Sequence, residues 1–359
     1  MTAGPVTSDE ATPTVPEPTP DATATTAGAA AKVTVSPRRR MIGRIAIAVW
    51  LTLMLYSFLT RGLPFDRLTQ TLWIISGFLV IAIGRPWKRM KWVIVDWGIF
   101  VGVFYLYDLS RAGARNFNFP VQVEFGINAD KLMFNGVVPT VWLQRHFYDP
   151  YAVHWWDQVG ALIYISHFMA AWIIAAYLYL RSRREWWNWA LVVTLTSVIA
   201  LIFFALIPTA PPWYANSVEH LLPPINRIAI RGLDSIGLHP AGELVSTGRA
   251  FANPVAAIPS LHTGFAVLVS LFLYSRTPKK WRWWAVPLLV LYPVAMLAML
   301  VYSGEHYVID GLLGAALAAA VWFGLQWFER WRKARKAEAP TTAGDEPVAV
   351  TGQGPQPGS

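Results

Sequence analysis

The stretch Trp187-Asn188-Trp189-Ala190-Leu191-Val192-Val193-Thr194-Leu195-Thr196-Ser197-Val198-Ile199-Ala200-Leu201-Ile202-Phe203-Phe204-Ala205-Leu206-Ile207 decides the fold class. It carries no charge over a length that, coiled as a helix, crosses the ~30 Å hydrocarbon core of a bilayer. A helix on the surface of a soluble core would show a polar stripe, and here Asn, Thr and Ser are only scattered. Working outward, comparable runs lie at about 43–60, 68–84, 92–109, 158–180, 260–274, 283–302 and 307–328. The expected fold is all-α: a polytopic membrane helical bundle of about eight transmembrane helices.

Composition agrees with that reading. The chain is 55% hydrophobic and 14% charged, and its 19 Trp suit membrane–water interfaces. It has no Cys, which excludes disulfides, thiolate metal sites and cysteine nucleophiles. The net charge of +9 is not spread as nucleic-acid binding would require. Basic residues cluster at Lys32, Arg38, Arg39, Arg40 and Arg44, then at Arg85, Lys88, Arg89 and Lys91, then at Arg181, Arg183 and Arg184. They cluster again at Arg276, Lys279, Lys280 and Arg282, and at Arg330, Arg332, Lys333, Arg335 and Lys336. The alternate connections hold only Arg61, Arg67, Arg111, Arg115, Lys131, Arg145, Arg227, Arg231 and Arg249, over much longer loops. The positive-inside rule then puts both termini in the cytoplasm and requires an even number of spans.

Residues 1–37, rich in Thr, Pro and Ala, lack the apolar segment of a signal peptide and read as a disordered cytoplasmic tail. Residues 337–359 read the same way, leaving 38–336 as the membrane domain. Two long segments, about 110–157 and 208–259, fall on the extracytoplasmic side, and loops of that length are more often functional than passive.

Reactive side chains gather at that side. His262 lies in Ile258-Pro259-Ser260-Leu261-His262-Thr263-Gly264, where Ser260 can cap a helix whose free N–H groups favour an anion such as phosphate. His306 and Asp310 lie in Gly304-Glu305-His306-Tyr307-Val308-Ile309-Asp310, at i, i+4 spacing and hence on one helix face. A carboxylate there can fix the imidazole tautomer and raise the basicity of its other nitrogen, as a nucleophile toward phosphorus needs. The same pair could equally serve only to stabilise a helix start. In a membrane helix, however, ionisable residues are costly, which brings the functional reading level with the structural one.

Pro259-Ser260-Leu261-His262, followed by Gly304-Glu305-His306-Tyr307-Val308-Ile309-Asp310, resembles the paired motifs of the type 2 phosphatidic acid phosphatase superfamily. Within it the sequence is most similar to the branch of inositol-phosphorylceramide synthases, with weaker matches at Pro208-Thr209-Ala210-Pro211-Pro212-Trp213 and Tyr107-Asp108-Leu109-Ser110-Arg111. The resemblance covers roughly 90–328, the implied catalytic core of a phosphatase-like domain. It implies that His262 is a general acid and that His306, oriented by Asp310, is the nucleophile that becomes phosphorylated. Neither a metal nor another cofactor is implied.

The sequence departs from the family pattern in three places. Leu261 stands where a glycine is usual, Leu300 stands where an arginine is usual, and the lysine-and-arginine phosphate-binding motif is missing. Phosphate then has to be met by Ser260 and by the extracytoplasmic cations Arg111, Arg115, Lys131 and Arg249. Asp96, Asp108 and His167 could pair between helices or line a cavity, and His154 and Asp157 could support the site. His146, His220 and His239 read as ordinary loop residues.

The expected activity is a membrane lipid-phosphate phosphatase acting at the extracytoplasmic face through a phosphohistidine. The alternative is a phosphotransferase that moves an inositol-phosphate-like or other phospho-headgroup to an alcohol acceptor. A noncatalytic lipid binder or transporter is the rival from another class, and transporters place their ionisable groups nearer the midplane than these are. The expected partners are a membrane lipid and, in the transferase alternative, an alcohol acceptor, with no nucleic acid. No feature of the sequence sets the oligomeric state.

Overall fold

A computed structural model describes residues 37–61, 67–83, 87–113, 119–239 and 253–338, with Met1, Gly242 and Val245. The proposed tails and the 240–252 loop otherwise lie outside the described residues. Each apolar run in the sequence coincides with a helix. These helices are α1 (Pro37–Arg61), α2 (Arg67–Ile81), α3 (Trp87–Gly113), α6 (Trp155–Arg181) and α7 (Arg183–Leu206), followed by α10 (Leu261–Arg276), α11 (Arg282–Tyr302) and α12 (Val308–Glu338). Between them the long segments fold into short helices: α4 (Glu124–Met133), α5 (Pro139–Phe147), α8 (Pro212–Ser217) and α9 (Arg231–Ser235). Among the described residues there is no strand, only isolated bridges from Gln122 to Thr209 and from Thr209 to Ala256.

Five segments are long and apolar enough to cross a membrane: Met41–Phe58, Trp155–Arg181, Arg183–Leu206, Lys279–Tyr302 and Val308–Arg335. Leu68–Ile81 and Leu261–Arg276 are apolar but shorter. The protein is therefore an all-helical, multi-pass membrane protein. Pro287 and Pro293 sit inside α11, where neighbouring helices can compensate the freed carbonyls. Elsewhere proline starts helices, at Pro139 in α5 and Pro212 in α8, where its missing N–H is not needed. Ser182 starts α7 by accepting the Glu185 N–H.

The core is built from rings. Trp97, Phe100 and Phe104 on α3 pack against Trp172 on α6 and Trp186 at the start of α7. Their centroids lie between 5.1 and 6.3 Å apart, at the offset and edge-on angles that aromatic quadrupoles favour. Beside this cluster lies Asp96, fully buried, which accepts hydrogen bonds from Arg183 Nε and Nη2, the latter at 2.6 Å, and from the Tyr179 hydroxyl. An isolated carboxylate at that depth would be very costly, so its guanidinium partner is what makes it tolerable. Asp96 thus pairs between helices, one of the two roles its sequence position allowed.

A second apolar cluster joins α6, α9, α10 and α11 through Tyr164, Leu233, Ala266, Met296 and Leu300. The closest approach is between α10 and α12. A Cβ on Gly314 would stand 2.1 Å from the Ser260 carbonyl oxygen, and a Cβ on Gly264 would stand 3.1 Å from the Gly314 carbonyl oxygen. In lipid, where water gives helices no hydrophobic push toward each other, small residues permit this close packing. Gly314→Ala should therefore force the crossing apart and destabilise the protein by about 1–3 kcal/mol. Gly324→Ala, a position on the same helix with no non-local heavy atom within 4 Å, should leave the melting temperature unchanged. Thermal unfolding of both variants in detergent checks this.

Candidate active site

The α10–α12 crossing brings both sequence motifs to one end of the bundle. The Ser260 N–H donates to the Asp310 carbonyl at 2.9 Å, tying the start of α10 to the first turn of α12. His262 is the second residue of α10. On the other strand of chain, α11 ends by turning back on itself, with the Glu305 and His306 N–H groups both donating to the Leu300 carbonyl. Gly304 makes that turn in the left-handed region at φ +77°, packed so close to Ile225 that a side chain would collide.

The turn presents His306 to Asp310. Nδ1 of His306 lies 3.2 Å from Asp310 Oδ2, which also accepts the Tyr307 N–H at 2.9 Å. Asp310 is in the first turn of α12, where a carboxylate reaching back to the preceding N–H completes the helix start and meets the positive end of the dipole. His306 is 7% exposed and Asp310 is fully buried. With the proton on Nδ1, Nε2 of His306 is left as the free base. The His262 ring stands 5.7 Å from the His306 ring, centroid to centroid. It is bracketed by rings from two successive turns of α6: Tyr164 at 5.1 Å, then His167 at 4.2 Å and Phe168 at 6.1 Å.

A further carboxylate holds the other side of the helix start. Asp130 on α4, fully buried, accepts the N–H of Val308 through Oδ2 and that of Ile309 through Oδ1, at 3.2 and 3.3 Å. These donors have no partner within α12, so Asp130 satisfies them from outside. Burial pushes its pKa up from 3.8 to about 6 against the lowering effect of the two N–H donors. The Tyr307 ring packs against Gly126 of α4, 2.1 Å from where a Cβ would be, and burial pushes its phenol upward too.

The long segments lace together over this end. The Gln122 N–H donates to the Pro208 carbonyl and its carbonyl accepts the Ala210 N–H, while the Thr209 N–H donates to the Val255 carbonyl and its carbonyl accepts the Ala257 N–H. Gln144 Nε2 donates to the carbonyls of Asn226 and Tyr302 while its Oε1 accepts the Asn226 N–H. Arg227 donates through Nε and Nη2 to both oxygens of Glu305, at 2.9 and 3.0 Å, and lies over the Trp213 ring. The residue beside His306 is thereby fixed by a bidentate pair.

Of the candidates from the sequence, His262, His306 and Asp310 come together, with Ser260 beside them. Ser260 occupies the N-cap position but its side chain makes no capping bond, and its buried Oγ has no partner among the described residues. Lys131 is exposed on α4, next in sequence to the inward-facing Asp130. Arg111 belongs to α3, with its side chain outside the described residues, as is the side chain of Asp108; Arg115 and Arg249 lie wholly outside them. Asp157 accepts from the Tyr302 hydroxyl and the His154 N–H at the start of α6. No group of three or more His, Cys, Asp or Glu suited to a metal ion occurs among the described residues. Sequence reasoning missed Asp130, Arg227 and Gln144, and gave His167 too little weight. Asp130 and Gln144 act through tertiary contacts that have no local pattern. His167 carried one usable signal, an imidazole in the middle of an apolar run.

A sequence model described as the PAP2 superfamily matches residues 136–324, just over half of the chain. The chain belongs to the PAP2 superfamily. It is accordingly an enzyme that hydrolyses or transfers a phosphoester, and its apolar helices make it a membrane protein. The matched region includes His262, His306 and Asp310 and omits α1 to α4. The chain is also similar to phosphoinositol dihydroceramide synthase of Bacteroides thetaiotaomicron, at 25% identity over 293 residues, covering 78% of this chain and 91% of that protein. No solved structure matches. In this PAP2 member Leu300, where the family arginine is expected, is fully buried in the α6–α9–α10–α11 cluster, so the position is given over to packing.

The pH response of Asp130 is a direct test of the cap. In the fold it holds its proton to about pH 6, against 3.8 in a model peptide, so the folded state binds more protons between those values. Its favourable contribution is full below pH 3.8 and is lost as pH rises through about 6. Asp130→Asn should remove that slope, so the wild type should lose thermal stability relative to the variant from pH 4 to pH 7, read by melting curves.

Proposed function

We propose that this PAP2 member is a lipid phosphotransferase that moves a phospho-headgroup, of the inositol-phosphate kind, from a membrane lipid to a long-chain alcohol. In this reading Nε2 of His306 attacks phosphorus and the bond to the departing lipid oxygen breaks. His262 gives that oxygen its proton, and Asp310 stabilises the positive charge that develops on His306. The acceptor hydroxyl then passes its proton to His262 and takes the phosphoryl group from the phosphohistidine. The observation that carries the reading is the pairing of His306 with a fully buried Asp310, with the His262 ring 5.7 Å from that of His306. Likeness along 91% of a protein named as a synthase supports transfer over hydrolysis. So does the depth of His306, because a shielded phosphohistidine meets little water. If water enters in place of the alcohol, the same steps make a phosphatase, which is the second reading.

The phosphate is met in this proposal by the free N–H groups at the start of α10, by Ser260, and by cations from Arg111, Arg115 and Arg249, while Lys131 on the exposed side of α4 meets surrounding headgroups. The bundle has eight spans, with both termini cytoplasmic and the site at the outer face of a cell membrane. The run of Arg and Lys at the opposite helix ends supports this, including Arg183 and the Arg276–Glu185 pair.

Two experiments test these claims. The first supplies the purified protein with phosphatidylinositol and a dihydroceramide in nanodiscs and resolves the lipid products. A headgroup-bearing dihydroceramide should form. His262→Ala should slow it ~10²–10⁴-fold, and His306→Ala should abolish it while the protein still melts cooperatively. Release of free headgroup phosphate with no new lipid would turn the reading to hydrolysis. The second adds protease to intact cells that carry tags at both termini. Both tags should survive, and cleavage of either from outside would overturn the sidedness.

A further inference from the structure

Helix α4 divides its surface into three parts of different chemistry. At 100° per residue, Gly126, Ile127 and Asp130 share one side, and all three are buried against the protein. Glu124, Asn128 and Lys131 share a second side, exposed and polar. Phe125, Ala129, Leu132 and Met133 share the third, which is apolar and yet open, with Leu132 85% exposed and Phe125 48%. The turn that follows continues the apolar strip through Phe134 and Val137, both exposed. An apolar strip beside a polar one, both outside the protein core, suits a boundary between hydrocarbon and water rather than either medium alone.

The depth of the helix is fixed independently of that pattern. Asp130 bonds the N–H groups of Val308 and Ile309, and Val308 is the first residue of a segment long and apolar enough to cross the membrane. An element that touches the entry of a spanning helix lies at the level of the membrane surface. Trp155, 68% exposed at the first residue of spanning α6, marks the same level with a side chain that prefers it.

We propose that α4 is an interfacial helix seated in the membrane surface, with Phe125, Leu132 and Met133 in the acyl region and Glu124, Asn128 and Lys131 among headgroups. The partner is the lipid leaflet itself. The inner side of the seat holds Tyr307 and the N–H groups of Val308 and Ile309, so the leaflet and the start of α12 meet adjacent sides of one helix. Lipid arriving along the apolar strip comes within a helix width of His306. That last consequence rests on the phosphoester reading above, whereas the seat itself does not.

Because the chain has no Cys, one engineered cysteine reports one position. Leu132→Cys and Asn128→Cys, each labelled with bimane in the full-length protein, are placed in phosphatidylcholine nanodiscs. Quenching by iodide in the water is compared with quenching by lipids brominated along their chains. Bromine should quench the label at position 132 several-fold more than the one at 128, and iodide should show the reverse order. Iodide quenching both labels alike would leave α4 standing in water and overturn the seat. Bromine quenching both alike would bury the polar side and overturn it too. The readout needs no turnover, so failure of the seat and failure of the activity are separable.

Discussion

A single backbone hydrogen bond, from the Ser260 amide to the Asp310 carbonyl, marks the contact on which the rest of the site depends. It exists because Gly314 and Gly264 let α10 and α12 come together without side chains between them. Two histidines far apart in sequence thereby reach one end of the bundle, with their rings 5.7 Å apart. Packing and hydrogen bonds have to hold the site, since the chain has no cysteine and lipid supplies no hydrophobic push. The start of α12 is then gripped from several directions: by Asp310 within the helix, by Asp130 from α4, and by Tyr307 against Gly126.

The distribution of polar groups follows the cost of charge in a membrane. Three ion pairs in the described bundle join charges from different segments: Asp96 with Arg183, Glu185 with Arg276, and Glu305 with Arg227. Beside the Asp96–Arg183 pair the core is tryptophan and phenylalanine. Asp310 and Asp130 have no cationic pair of that kind, and each is stabilised by N–H groups at a helix start, where the backbone dipole favours negative charge. Such an end is also where an anionic phosphoryl group is most easily held.

The helices were legible in the sequence because apolar length is a one-dimensional signal. The run 187–207 became α7, and even the short run at 260–274 became α10. The histidine motifs were legible because the His306–Asp310 pair is i, i+4 and because the motifs resemble a known family. What the sequence left obscure are partners set by tertiary contact. Asp130 looks like any loop acid beside Lys131 until α4 is docked on α12. Gln144 meets Asn226 and Tyr302, and Arg227 meets Glu305, only after the long segments fold. The short helices α4, α5, α8 and α9 were hidden for a related reason: their apolar faces are too brief to stand out between longer runs, and packing on the bundle end stabilises them.

The account stands or falls on His306 as the atom that receives phosphorus. The most direct measurement is rapid acid-free quenching of the intact protein during turnover with a donor lipid labelled at phosphorus, followed by mass analysis of its peptides. The expected result is label on the peptide that contains His306, stable in base and lost in acid as an N–P bond is, and absent from His306→Ala. Label on another residue, or steady turnover in His306→Ala, would contradict it.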